Sequence, residues 1–290
     1  MKTSYNEATA KGCSNLELDL RLCEESGYDF IEIRLDMLKD YLINHEIKEL
    51  VEFFRNSRIK PHAINALYIY SEFLGEQDDL NRQTELLNDF KLGCEVSKAI
   101  GNKYFIIVPP LQRDPNGGPF IGDKKEIFLN CVRILKELGE MAENFDINLC
   151  FELVGFNRSS VRTIEEANDI VKAVNMTNVG FVFDSYNIYL NECDNDFSKL
   201  KVVDKDKIFA VHLISGEDVP IDQMGQDKRC FPDEGVVNID GFLQVLKNMG
   251  YEGMVSIETF NPKYWVGEPK KIIKDAYDSL KKVLERNNCL

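Results

Sequence analysis

Histidine is scarce in this chain, with three in 290 residues. That count excludes a centre built from many imidazoles. Apolar runs are short as well: none approaches the roughly 18 residues of a membrane helix, and the opening MKTSYNEATAKGCSNLELD holds no stretch of the length a secretory signal needs. A cytoplasmic protein without a membrane partner is expected. Positive charge is in deficit, the formal net charge is −14, and no Lys/Arg stripe interrupts the acidic background. Such a surface repels a phosphate backbone, so nucleic acid is not an expected partner. The eight cysteines show no CxxC spacing and lie partly within apolar runs, the pattern of reduced thiols rather than of a disulfide frame. No linker or low-complexity tract is present, and 44% hydrophobic with 29% charged residues is enough to bury a large core. One domain spanning 1–290 is expected.

Four short apolar runs carry the chemistry. INLCFE, VGFVFD, IFAVH and MVSIE read as parallel strands, and each closes on a metal-ligand residue: Glu152, Asp184, His212 and Glu258. Their spacing fits strand–loop–helix units, with a longer loop before the last. This is the rhythm of a (β/α)8 TIM barrel, whose chemistry sits at the carboxyl ends of its strands. Parity agrees, because residues two apart on a strand share a face. Two positions before each ligand stand Cys150, Val182, Ala210 and Ser256, and one position before stand Phe151, Phe183, Val211 and Ile257. The ligand face is small and the opposite face bulky, as a lumen and an outer wall require. Ionisable residues often open surface loops, but four in phase at near-regular spacing mark a site for a divalent metal.

The remaining pattern completes eight units. Strands are expected at Lys2 to Tyr5, FIEIRLDM, AINALYI and YFIIVPP, with helices between them. Ser14 is a helix-cap candidate and Gly27 a stop, Thr163 with Glu166 matches a capping box, and a helix is expected at about 194–204. RDPNGGPFIGD and the long polar stretch Ser215 to Val237 are loops on the ligand side, where lids are common. Glu32, Arg34 and Asp36 alternate on the second strand and share one face, which suggests structural ion pairing more than catalysis. His62 falls at the far end of its strand and His45 on a helix, both structural or exposed, while Asn65 points into the barrel and Glu7 toward the pocket mouth. Tyr68, Phe73, Phe156, Tyr186 and Trp265 lie near strand ends, where aromatic walls can pack a ring. No lysine closes a strand, against Schiff-base chemistry, and Gly117–Gly118 follow strand four, away from the usual barrel phosphate site.

GYDFIEIRLDM, FELVGF, FDSYN, VHL, PDEGVVNIDGFLQVLKNMGYEG and VSIETFN together resemble the xylose isomerase-like barrels, specifically the sugar isomerase/epimerase group with ketose 3-epimerases and inosose isomerases and dehydratases. The resemblance spans nearly the whole chain. It implies that Glu152, Asp184, His212 and Glu258 bind one divalent ion, Mn2+, Zn2+, Co2+ or Mg2+, and that Glu152 and Glu258 face each other across a sugar or cyclitol as acid and base. Several family members carry Asp-x-x-His after strand six, and FDSYN has Asn187 in the histidine's place. Asn187 can hydrogen-bond substrate but cannot titrate. Arg229 in KRCFPDEG is the nearest match to a family arginine in the loop after strand seven, placed to bind a substrate oxygen or carboxylate; a solvated surface arginine is the equal alternative. The expected function is a metal-dependent sugar or cyclitol isomerase or epimerase of carbohydrate metabolism. A dehydratase on the same site and a non-catalytic metabolite-binding barrel are the alternatives. The related DNA-cleaving branch, with three zinc ions, is excluded by the histidine count and the charge. Whether the chain forms a homo-oligomer is left open by the sequence.

Overall fold

The computed structural model describes residues 1–70, 80–112, 118–192 and 195–290. Eight parallel strands close into a barrel, with helices between them. In chain order the strands are β1 (Lys2–Asn6), β2 (Phe30–Arg34), β3 (Lys60–Tyr70), β4 (Tyr104–Leu111), β5 (Asn148–Glu152), β6 (Val179–Asp184), β7 (Ile208–His212), the short pair β8 (Ser215–Gly216) and β9 (Arg229–Cys230), and β10 (Met254–Ile257). Closure comes from β1 pairing with both β2 and β10, while β8 and β9 form a separate antiparallel hairpin.

The parity expected from the sequence is that of the barrel. Cys150, Val182 and Ala210 join Ala63, Ile106 and Met254 in a lumen cluster, whereas Phe151, Phe183, Val211 and Ile257 pack in the larger cluster shared with the helices. Small lumen residues beneath bulky outer ones leave space above the core layers for a ligand. The described cysteines are free, and Cys193 lies outside the described residues.

Helices α1 (Leu16–Ser26), α2 (Leu35–Tyr41), α3 (Ile47–Asn56), α4 (Leu80–Ile100), α5 (Lys124–Glu143), α6 (Ile164–Val174), α7 (Ser185–Glu192), α8 (Ile239–Met249) and α9 (Pro269–Arg286) complete the units. Thr163 and Glu166 form the capping box expected for α6, and Gly27 ends α1 at φ 104°, a left-handed position that favours glycine. Three expectations need correction. Asn15, not Ser14, caps α1, accepting from the Leu18 amide, because Ser14 turns its hydroxyl to Asp19. Strand β2 stops at Arg34, so Asp36 sits in the first turn of α2 rather than on the strand face of Glu32. The helix expected at 194–204 is replaced by 3-10 turns at Ser198–Val202 and Lys205–Lys207, and the true helix, α7, starts directly after β6. Its cap is Asp184 itself, whose Oδ1 accepts from the Tyr186 and Asn187 amides at 2.7 and 2.9 Å.

Candidate metal and active site

Strands β5, β6 and β7 end on Glu152, Asp184 and His212, and Glu258 follows β10 by one residue. All four are buried, and one ligand atom from each lies within 4.8 Å of the others. They suit one divalent metal ion. The capping bonds use Asp184 Oδ1 and leave Oδ2 for the cluster. His212 directs Nδ1 at Glu258 Oε2 (3.4 Å), Glu152 Oε1 (3.9 Å) and Asp184 Oδ2 (4.0 Å). This nitrogen is buried and has no hydrogen-bond partner. A buried polar atom without a partner is costly unless something fills the gap, and an imidazole nitrogen ringed by three carboxylates is the donor set of a cation such as Zn2+ or Mn2+.

A second ring of polar residues orients these four. Glu32, on β2 across the lumen, stands 3.1 Å from His212 Nε2, so that Nε2–H donates to the carboxylate and Nδ1 faces the cluster. The Asn6 amide donates to Glu32 Oε2 (2.8 Å) and to Glu258 Oε1 (3.0 Å), and Asn65 donates to the same Glu258 oxygen at 3.0 Å. Asn187 donates to Glu152 Oε1 at 2.9 Å. It therefore contacts a site carboxylate directly. Gly155 makes room for this, since a Cβ there would meet the Asn187 carbonyl oxygen at 2.0 Å. Arg229, delivered by β9, is 1% exposed, which rules out the solvated alternative. Its Nη1 lies 2.6 Å from Asp184 Oδ2 and 3.5 Å from Glu258 Oε2. The guanidinium packs over Tyr186 and Phe260.

These neighbours set opposed electrostatics. Burial, together with the Glu258 charge, pushes Glu152 up to about 8. Burial acts the same way on Glu258, but His212, Arg229 and Arg34 outweigh it and hold that carboxyl down at about 2. His212 is raised well above its ordinary value: burial opposes the charged ring, and Glu32 and Glu258 overcome it.

Several further expectations resolve. Glu7 does not line the mouth; it is wholly buried and accepts from the Arg34 amide at 2.7 Å. Asn65 does point into the lumen, but as a partner of Glu258. His62 is structural, stacked on Tyr104 at the opposite end of the barrel, and His45 pairs with Glu49 on the surface. Tyr186 is fully buried beneath Arg229, Phe156 lies 6.3 Å from its ring, and Trp265 donates to the Ala8 carbonyl. Phe73, Gly117 and the rest of 113–117 lie outside the described residues. Ser215 to Val237 is partly ordered by the β8–β9 hairpin, where Gly235 at φ 74° passes so near the Gly216 carbonyl that a Cβ would meet it at 2.1 Å.

A buried three-carboxylate, one-imidazole cluster at the mouth of a (β/α)8 barrel defines a metal-dependent enzyme. The chain belongs to the xylose isomerase-like TIM barrel family, whose pattern matches residues 20–283. It is 37% identical over 287 residues to the inosose isomerase of Bacillus velezensis, covering 99% of this chain and 98% of that one. A crystal structure described as IolI protein with a bound zinc atom superposes with a TM-score of 0.89 at 35% identity, covering 99% of both chains. A partial likeness, 28% over 148 residues, connects half of this chain to 23% of the 3-dehydroshikimate dehydratase of Pseudomonas aeruginosa. The full-length likeness makes the chain a metal-dependent isomerase. Among the described residues, no helix is long and apolar enough to cross a membrane.

Proposed function

We propose that this chain, acting as one domain in the cytoplasm, isomerises an inosose by taking a proton from the hydroxyl-bearing carbon beside the ring ketone and returning it to the carbonyl carbon, while a proton passes between the two oxygens. Glu152, Asp184, His212 and Glu258 would hold one divalent cation. When bound, it supplies positive charge to stabilise the oxygen that becomes negative as the proton leaves carbon. Glu152 and Glu258 perform the proton transfer. Each is fixed through one oxygen by neutral amides, Glu152 by Asn187 and Glu258 by Asn6 and Asn65, which aim the carboxylate without adding a charge that would quench its basicity. Their environments separate them, Glu152 being the more basic and Glu258 the more firmly held anion. Arg229 faces the same space; its charge is balanced by Asp184, so it suits a neutral substrate oxygen better than a phosphate.

The observation that carries this reading is the buried four-donor cluster containing two amide-fixed glutamates. NMR of an inosose incubated with metal-loaded protein in D2O tests it. Isomerisation incorporates solvent deuterium and yields no ultraviolet-absorbing product, and chelator stops it. The likeness to a dehydratase supports a second reading, in which the same proton abstraction is followed by loss of a β-hydroxyl. In that case the product is an enone or dione that absorbs in the ultraviolet.

A further inference from the structure

The amino-terminal end of the barrel, opposite the metal cluster, holds a cavity that isomerisation leaves unused. Its volume is about 710 Å³, within the range of small-molecule sites. The floor is a row of rings. Phe30 of β2 meets His62 of β3 at 5.4 Å, His62 stacks on Tyr104 of β4 at 4.7 Å and 28°, and Tyr104 faces Phe209 of β7 at 5.6 Å and 36°. Phe209 lies against Gly180 of β6, where a Cβ would meet its ring at 2.6 Å. Phe30, Tyr104 and Phe209 are only half-buried, so ring surface is left to the cavity they line. Ile106, Cys150, Val182 and Ala210 pack the lumen between this floor and the metal cluster.

The rim supplies charge. Lys2, Lys60, Lys103 and Lys205 line it from the starts of β1, β3, β4 and β7, which parallel pairing gathers at one end of the barrel. They lie far apart in the chain, so no basic stripe marks them in the sequence. Lys205 is paired with Asp206. Lys60 Nζ donates to the Phe54 and Ser57 carbonyls, both at 2.7 Å, neutral acceptors that fix the ammonium without cancelling its charge. Among the described residues, Lys2, Lys60 and Lys103 have no carboxylate partner, and Glu252 is the one other acid lining the cavity. A positive rim therefore stands out on a chain of net charge −14. His62 adds a ring and no charge, since burial holds it down at about 4.

A bare phosphate would use the lysines and leave the rings in water, while an uncharged aromatic would do the reverse. A heteroaromatic phosphate uses both, with its ring stacked on Tyr104 and Phe209 and its phosphate among the ammonium groups of the adjacent strands β3 and β4. We propose that this basin is a second ligand site, taking a planar heteroaromatic ring that carries a phosphate, the chemistry of a nucleoside monophosphate. It stands whether or not the chain acts on an inosose.

Calorimetric titration of the metal-loaded protein with AMP tests this. AMP should bind one to one with a Kd below about 1 mM, and adenosine and inorganic phosphate should each bind at least about tenfold more weakly, because each offers one half of the match. Lys103→Glu should weaken AMP binding by about tenfold or more. Lys136→Glu, the same change of net charge at an exposed position on α5, should leave it within about twofold. Tyr104→Ala should cost about tenfold and Tyr104→Phe little; if Tyr104→Ala does not fold, Lys2→Glu is the second arm and should also weaken AMP. Glu258→Gln should bind AMP as the parent does, since the metal end takes no part. No saturable AMP binding up to about 1 mM overturns the proposal, as do adenosine or inorganic phosphate binding as tightly as AMP and equal losses in Lys103→Glu and Lys136→Glu. Loss of AMP binding in Glu258→Gln puts the nucleotide at the metal end and overturns it as well.

Discussion

The two ends of this barrel each bury a histidine, and the pair shows how much the surroundings decide. His212 at the carboxyl end of β7 is ringed by Glu32, Glu152, Asp184 and Glu258, and against burial the charges of Glu32 and Glu258 hold its pKa well above the ordinary value. His62 at the amino end of β3 is boxed by Phe30 and Tyr104, with ring centroids at 5.4 and 4.7 Å, and burial drives it down to about 4. One imidazole sits where a cation belongs and the other where an uncharged ring belongs. Chemistry follows the carboxylates, and stability follows the aromatic floor.

The largest effect expected from breaking this contrast is at the mouth. Glu258→Gln keeps the amide contacts of Asn6 and Asn65 nearly isosteric but removes the carboxylate proposed as ligand and acid/base group, so turnover of an inosose should fall by about 10²–10⁴-fold. His62→Phe should leave kcat within about threefold. Steady-state kinetics on both variants checks the pair.

Next in size is the support of His212. Glu32→Gln leaves the imidazole but weakens the acceptor at Nε2, and metal affinity should drop by about 10–100-fold. Competition with a chromophoric chelator reads this directly. Metal affinity should also fall as pH drops below about 8, because Glu152 then holds a proton that a cation must displace. The chelator titration repeated at pH 8.5 and 6.5 gives the sign.

At the floor, His62 is held below its unfolded value, so the unfolded chain takes up a proton as pH falls through about 6.5 while the folded protein resists until about 4. Stability is therefore lost on acidification across that window, by on the order of 3 kcal/mol from this group. Denaturant unfolding of His62→Phe at pH 7 and 4.5 should show a smaller loss than the parent. The smallest effect concerns Asn187→Leu. Removing one neutral hydrogen bond to Glu152 should lower kcat by about tenfold or less, with KM little changed.

The four cluster residues were legible because each ends an apolar run and parity assigns its face; that information is local. The supporting ring was not legible. Glu32 reaches His212 across the lumen from β2 to β7, and Asn6 and Asn65 reach Glu258 from other strands, contacts that no single strand's pattern encodes. FIEIRLDM alternates throughout and so puts Asp36 on a strand face, yet the chain turns helical at Leu35. Helix α7 escaped notice because its cap is a site residue, Asp184, and a residue read for one role hid the other. The sequence marked Asn187 as a departure; only the fold brings it to Glu152.

The most direct test of the central claim is an anomalous difference map at the zinc edge from crystals of zinc-loaded protein. A single strong peak is expected about 2.0–2.1 Å from His212 Nδ1, within reach of Glu152, Asp184 and Glu258 and with Nε2 still against Glu32. A peak at Nε2, or zinc bound elsewhere while these four stay unliganded, would contradict the account.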